Sequence, residues 1–194
     1  MEERDMTIYF KRNFDGKSSL SNLSEAVRAY TGHDIRDLGL VREREKKPFF
    51  SADGSPHFSI SHSNDLWAVV FSDHDVGCDV QHLAGVRSDV KKLAIRFFHP
   101  EEASLISRSG DPKTDFRRIW SKKEAAVKLA GSGIDGGFGK FSCLDEPFIL
   151  NGKSVHTRMY DLPCPGATDG EESVPCFVCS YTEADFGSVA VMEL

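Results

Sequence analysis

Trp120-Ser121-Lys122-Lys123-Glu124-Ala125-Ala126-Val127-Lys128 is the stretch from which the rest of the chain is best read. It reads as a helix that carries Lys123, Glu124 and Lys128 close together. Glu124 and Lys128 are four residues apart and so share one face, about a turn apart. A carboxylate with ammonium groups one turn away suits a site that holds a metal and an anionic phosphate together. The same spacing also describes an ordinary solvated helix with an i,i+4 ion pair.

Working outward, Phe116, Ile119, Trp120, Val127 and Ala130 supply the apolar face of this helix, and Gly131-Ser132-Gly133 stops it. Upstream, Ser109-Gly110-Asp111-Pro112 reads as a loop. His99-Pro100-Glu101-Glu102 starts a helix, with proline at the first helical position and acids in the first turn. Val90, Leu93, Ala94, Phe97 and Phe98 mark another amphipathic helix. Near the N-terminus, Leu20, Leu23, Ala26, Val27 and Tyr30 recur at helical spacing, closed by Thr31-Gly32. Glu43 to Lys47 is a charged connector. From Pro56 the period changes to two, and residues 58–61, 66–71 and 76–81 predict an antiparallel meander joined by Asn64-Asp65 and Asp73-His74-Asp75. Asp79 and Gln81, two apart on the last of these strands, face one side, and Cys78 and Val80 point to the core. After the long helix, residues 140–144, 148–150, 155–160, 174–181 and 188–193 read as strands, with a mobile Pro-, Gly- and acid-rich loop at 162–173. Each half has a helix first and strands after. The pattern predicts an α+β protein, one large domain or two small subdomains, the latter divided as 1–84 and 85–194 near Leu83-Ala84-Gly85.

The chain has 194 residues, 40% of them hydrophobic and 28% charged, which is ordinary for a globular protein with a real core. No apolar run approaches a membrane span, and Met1-Glu2-Glu3-Arg4-Asp5 lacks the apolar centre of a signal peptide, so the cytoplasm is expected. A net charge of -6 with no extended basic face argues against nucleic-acid binding. The five cysteines suggest no disulfide framework, and Cys176-x-x-Cys179 lies in an apparent strand without partners for zinc or redox chemistry.

Three segments taken in order carry more than any one alone: Pro56-His57-Phe58-Ser59-Ile60-Ser61-His62-Ser63, then Val76-Gly77-Cys78-Asp79-Val80-Gln81, then the helix quoted first. With Lys47-Pro48 before them, Arg96-Phe97-Phe98 and Glu101-Glu102 between, and Gly131-x-Gly133-Ile134 after, the set resembles the 4'-phosphopantetheinyl transferase superfamily. The resemblance is to the longer, surfactin-synthetase-activating type, in which both halves of a pseudo-two-fold α+β fold lie in one chain. It runs from about Lys17 to the C-terminus.

The resemblance implies a holo-[acyl-carrier-protein] synthase activity: a monomer that moves the 4'-phosphopantetheine of coenzyme A onto a serine of an apo acyl or peptidyl carrier protein and releases 3',5'-adenosine diphosphate. It implies Mg2+, or Mn2+ in its place, held by Asp79 and Glu124. It gives Glu124 the further role of candidate base, Lys128 that of phosphate neutraliser, and Ser61, His62, Lys47 and, more weakly, Lys17 that of coenzyme A contacts. Gln81 departs from the family, which commonly has a second acid there. A glutamine can still offer a carbonyl oxygen or orient a water, so Gln81 joins Asp79 and Glu124 in the expected metal set. Trp120 is expected to seat its helix without touching substrate. Lys91, Lys92 and Arg96, with Arg117, Arg118 and Lys122, are candidates for docking an acidic carrier. Two rival readings remain open at this point: a weakened relative that binds without efficient transfer, supported by Gln81, and a metal-dependent phosphoesterase using Asp79, Glu124 and His62.

Overall fold

A methyl group built on Gly77 would lie 2.0 Å from the carbonyl oxygen of Ala125 and 2.5 Å from the amide nitrogen of Leu129. Only glycine lets its strand pass so close to the long helix, and that crossing sets Asp79 beneath Ser121 and Lys128. The computed structural model describes residues 6–44, 46–82, 89–131, 137–164 and 173–194. In chain order the elements are β1 (Met6–Lys11), α1 (Ser19–Thr31), β2 (Leu40–Val41), β3 (Phe49–Phe50), β4 (His57–Ser63), β5 (Leu66–Ser72), β6 (Val76–Val80), α2 (Val90–Phe97), α3 (Pro100–Arg108), α4 (Pro112–Ala130), β7 (Phe148–Leu150), β8 (Lys153–Pro163), β9 (Ser173–Ser180) and β10 (Val189–Glu193).

The fold is α+β, with two four-stranded sheets ordered β10-β1-β5-β4 and β6-β9-β8-β7. All pairs within them are antiparallel except β1 with β10. β5 explains the layering. Its residues are all buried, and they alternate between two cores. Trp67, Val69 and Phe71 join Leu23, Ala26 and Val27 of α1 on the outer face of the first sheet. Leu66, Ala68 and Val70 pack between the sheets against Cys78, Val80, Cys176 and Val178. The helices α2, α3 and α4 cover the outer face of the second sheet through Phe98, Ile106, Ile119 and Ala126, against Phe177 and Cys179. Each fully buried side chain of Leu, Ile, Val or Phe size contributes roughly 1.5–3 kcal/mol to this arrangement.

Helix boundaries agree with the sequence reading. Gly32 and Gly131 both end their helices in the left-handed region, at φ of 75° and 65°. Pro100 opens α3, and the Glu102 carboxylate accepts the His99 amide.

Two expectations are corrected. The meander breaks at its third strand. β4 and β1 already occupy the two edges of β5, so β6 crosses to the second sheet and pairs with β9. Residues 140–144 form no strand: a 3-10 turn, Phe138–Lys140, leads into irregular chain, because the Phe138 and Phe141 carbonyls turn inward to the Lys123 ammonium. β1 escaped the sequence reading because it is buried along five of its six residues and shows no period-two alternation. The two halves also exchange strands, β6 joining the later sheet and β10 the earlier. The expected boundary at 83–85, most of the expected loop at 162–173, and Gly133-Ile134 lie outside the described residues.

Candidate active site

β4 and β6 are edge strands of different sheets, and serine side chains stitch them together. Ser59 Oγ accepts the Cys78 amide at 3.0 Å, Ser63 Oγ accepts the His82 amide at 3.2 Å, and between them Ser61 Oγ donates to Asp79 Oδ1 at 2.7 Å. Ser59 and Ser61 on this face of β4 are therefore buried, at 3% and 5% exposed. On β6, Val76, Cys78 and Val80 enter the core between the sheets. Gly77 and Asp79 face α4, as period two requires.

The Asp79 carboxylate sits under α4, whose i, i+3 and i+7 positions bring Ser121, Glu124 and Lys128 over it. Lys128 Nζ donates to Asp79 Oδ1 at 2.7 Å and to Ser61 Oγ at 3.0 Å, and lies 3.8 Å from Glu124. Ser121 Oγ donates to the other oxygen, Asp79 Oδ2, at 2.7 Å. Glu124 Oε1 accepts the indole N–H of Trp120 at 2.7 Å, one turn back. Burial first, and then the nearby Asp79 charge, raise the Glu124 carboxyl above the usual carboxylate range, with Lys128 opposing. Burial pulls the Lys128 ammonium down, but its anionic neighbours, Asp79 foremost, outweigh this and hold it above the ordinary lysine value.

A cavity of about 280 Å3 opens beside this cluster, with Glu124 and Lys128 on one wall and Lys46, Lys47, Ser59 and Ile60 among its other lining residues. Three lysines around so small a space suit a polyphosphate. Lys47 donates to the Val76 carbonyl at 2.6 Å, and burial lowers its pKa.

Other sequence candidates stand apart. His62 lies on the opposite face of β4 from Ser61, exposed and against the Phe14 ring at 5.3 Å. Lys17 is exposed at the head of α1, outside the cavity lining. Gln81 is half-buried one residue past the end of β6, and among the described residues no hydrogen bond joins its side chain to Asp79 or Glu124. Lys123, read as part of the cluster, points the other way: it is wholly buried and ion-paired with Glu102 at 2.9 Å. Arg117 is buried, and Lys122 donates to the Cys143 carbonyl at 2.6 Å and pairs with Glu146, so neither belongs to an open docking face. Cys176 and Cys179 point into different cores, which rules out a shared metal. Among the described residues no group of three or more His, Cys, Asp or Glu side chains is placed to hold a metal, and no helix is long and apolar enough to cross a membrane. Ser121 and the Trp120–Glu124 hydrogen bond were missed. Spacing puts both on the Glu124–Lys128 side of the helix, the serine three residues before Glu124 and the tryptophan four, but it does not name the partner of the serine.

The sequence pattern of the 4'-phosphopantetheinyl transferase superfamily matches residues 75–164, a range that includes Asp79, Ser121, Glu124 and Lys128. A 4'-phosphopantetheinyl transferase of Bacillus subtilis is 30% identical over 168 residues, covering 86% of this chain and 67% of that protein. The chain belongs to the 4'-phosphopantetheinyl transferase superfamily. A 4'-phosphopantetheinyl transferase of Bacillus pumilus is 30% identical over 148 residues, covering 73% of this chain and 61% of its own length. The transferase AcpT of Salmonella typhimurium is 36% identical over 95 residues, covering 47% of this chain and 49% of its own. The chain thus spans about half to two thirds of the length of these members of the superfamily. The matched pattern begins after Lys47, Ser61 and His62, so the lysine-lined wall and the serine stitch are supplied from outside it.

Proposed function

We propose that this chain transfers 4'-phosphopantetheine from coenzyme A to a serine of an apo acyl or peptidyl carrier protein, as a holo-[acyl-carrier-protein] synthase does, releasing 3',5'-adenosine diphosphate. The observation that carries the reading is the Asp79–Lys128–Glu124 cluster at the mouth of a lysine-lined cavity. Lys46, Lys47 and Lys128 bind and neutralise the phosphates. Glu124, held by Trp120 and with its affinity for protons raised by burial, takes the proton of the carrier serine. The serine oxygen forms a bond to the β-phosphorus as the bond from that phosphorus to the bridging oxygen breaks, and the electron pair leaves with the adenosine diphosphate.

The donor set fits a hard divalent cation. Two carboxylates lie close together in a partly desolvated groove, where burial first and then the Asp79 charge raise the Glu124 pKa. Asp79 and Glu124 would hold Mg2+, or Mn2+ in its place, with Gln81 contributing through water. When bound, the ion supplies charge neutralisation at the pyrophosphate oxygens.

The carrier docks on α2. Lys91, Lys92 and Arg96 are exposed there, with Ile95 69% and Phe97 40% exposed among them, so the surface offers apolar contact within a basic field. Arg118 of α4 is also exposed, but Arg117 and Lys122 are withdrawn from the face. The chain acts as a monomer, because β4 and α4 of one chain line the cavity, and it acts in the cytoplasm with neither nucleic acid nor membrane taking part.

Incubation with coenzyme A, Mg2+ and several apo carriers tests the reading by mass spectrometry. A carrier heavier by one phosphopantetheine is expected. Coenzyme A binding without a mass gain would favour a weakened relative, and hydrolysed nucleotide without it a phosphoesterase.

A further inference from the structure

We propose that Ser121 is a positioning residue for Asp79, fixing the carboxylate so that Oδ1 presents to Lys128 and the groove. The inference rests on the metal-site reading above and concerns a residue outside that set. Asp79 is buried, with a side-chain exposure of 4%, and its two oxygens are held from opposite sides. Oδ1 accepts from Ser61 and Lys128, each at 2.7 Å. Oδ2 accepts from Ser121 at 2.7 Å, and the same hydroxyl lies 3.4 Å from the Asp79 backbone oxygen. A carboxylate turns about its last torsion in a broad well. With Oδ1 bound and Oδ2 free, it could swing Oδ1 away from the groove. A donor on Oδ2 removes that freedom.

Ser121 is 1% exposed and so touches neither coenzyme A nor carrier. It lies on the face of α4 that bears on β6, where the crossing at Gly77 leaves no room for repositioning. A serine within a helix is less favourable than alanine. Spending that position on a hydroxyl aimed at Asp79 is explained by orientation and not by helix stability.

The test uses the full chain and three variants, Ser121→Ala, Ser121→Thr and Asp79→Ala. Mn2+ binding is read by electron paramagnetic resonance without turnover, Mg2+ half-saturation by transfer rate, and folding by thermal melting. Ser121→Ala should melt close to wild type, yet weaken Mn2+ binding and raise Mg2+ half-saturation on the order of tenfold. Ser121→Thr, which keeps the hydroxyl, should restore most of both. Wild-type metal binding in folded Ser121→Ala overturns the proposal, as does a Ser121→Thr protein as impaired as the alanine variant. Loss of Mn2+ in Asp79→Ala alone would sink only the positioning role, whereas Mn2+ retained by Asp79→Ala would sink the metal-site reading itself.

Discussion

Two lysines of α4, five residues apart, form ion pairs in different surroundings. Lys128 reaches Asp79 at 2.7 Å with 29% of its side chain exposed, at the edge of a cavity. Lys123 reaches Glu102 at 2.9 Å with both side chains at 0%. The buried pair is fully committed. Lys123 also donates to the Phe138 and Phe141 carbonyls and lies 4.0 Å from the centre of the Phe141 ring, and Glu102 accepts the Cys143 and His99 amides. It fastens α3, α4 and the 138–143 segment together, and burial outweighs Glu102 in lowering the lysine pKa. The open pair keeps the Lys128 ammonium, 29% exposed, within reach of an arriving phosphate, while its partner Asp79 stays buried at 4%. Similar contact distances therefore fasten the fold in one place and, on the proposed function, serve chemistry in the other, and the exposure of the lysine separates them.

The largest effect that would sharpen this contrast is on stability. Lys123→Met should cost about 3–5 kcal/mol, because it strands a buried Glu102 charge. Chemical denaturation measures it, and a loss below about 1 kcal/mol would show that the pair is not structural. Asp79→Ala should leave a folded protein whose transfer rate falls roughly a hundredfold or more, about 2.7 kcal/mol at the transition state. Near-normal turnover in that variant would break the assignment of the open pair to chemistry.

Lys128→Ala should cost less stability than Lys123→Met, because Asp79 keeps its Ser61 and Ser121 donors, with kcat/KM for coenzyme A down about tenfold. Unchanged kinetics there would reduce Lys128 to a surface partner of Glu124. The smallest effect is expected at Gln81. Gln81→Glu should lower the Mg2+ concentration for half-maximal transfer about two- to fivefold, since an added carboxylate near Asp79 attracts a divalent ion. An active Gln81→Glu enzyme with unaltered metal dependence would place this residue, one position past β6, outside the metal's surroundings.

Local pattern made several of these features legible from the chain alone. Helical spacing gave α1 through α4, and Gly32 and Gly131 gave two of their ends, because capping and amphipathicity act within a few residues. Period two on β6 placed Asp79 opposite Cys78 and Val80. The ordered motifs, and their resemblance to a family, gave the superfamily and the Asp79, Glu124 and Lys128 set. Local spacing could not tell Lys123 from Lys128, since both look like helix cations until Glu102 arrives from α3 to enclose one of them. Neither could it pair β6 with β9 or β10 with β1, because strand partnership depends on which edges remain free once the sheets assemble. The same limit hid Ser121. A serine in a helix carries no local sign of its partner, and its hydroxyl acquired a role only when Gly77 brought β6 close enough to set Asp79 beneath it.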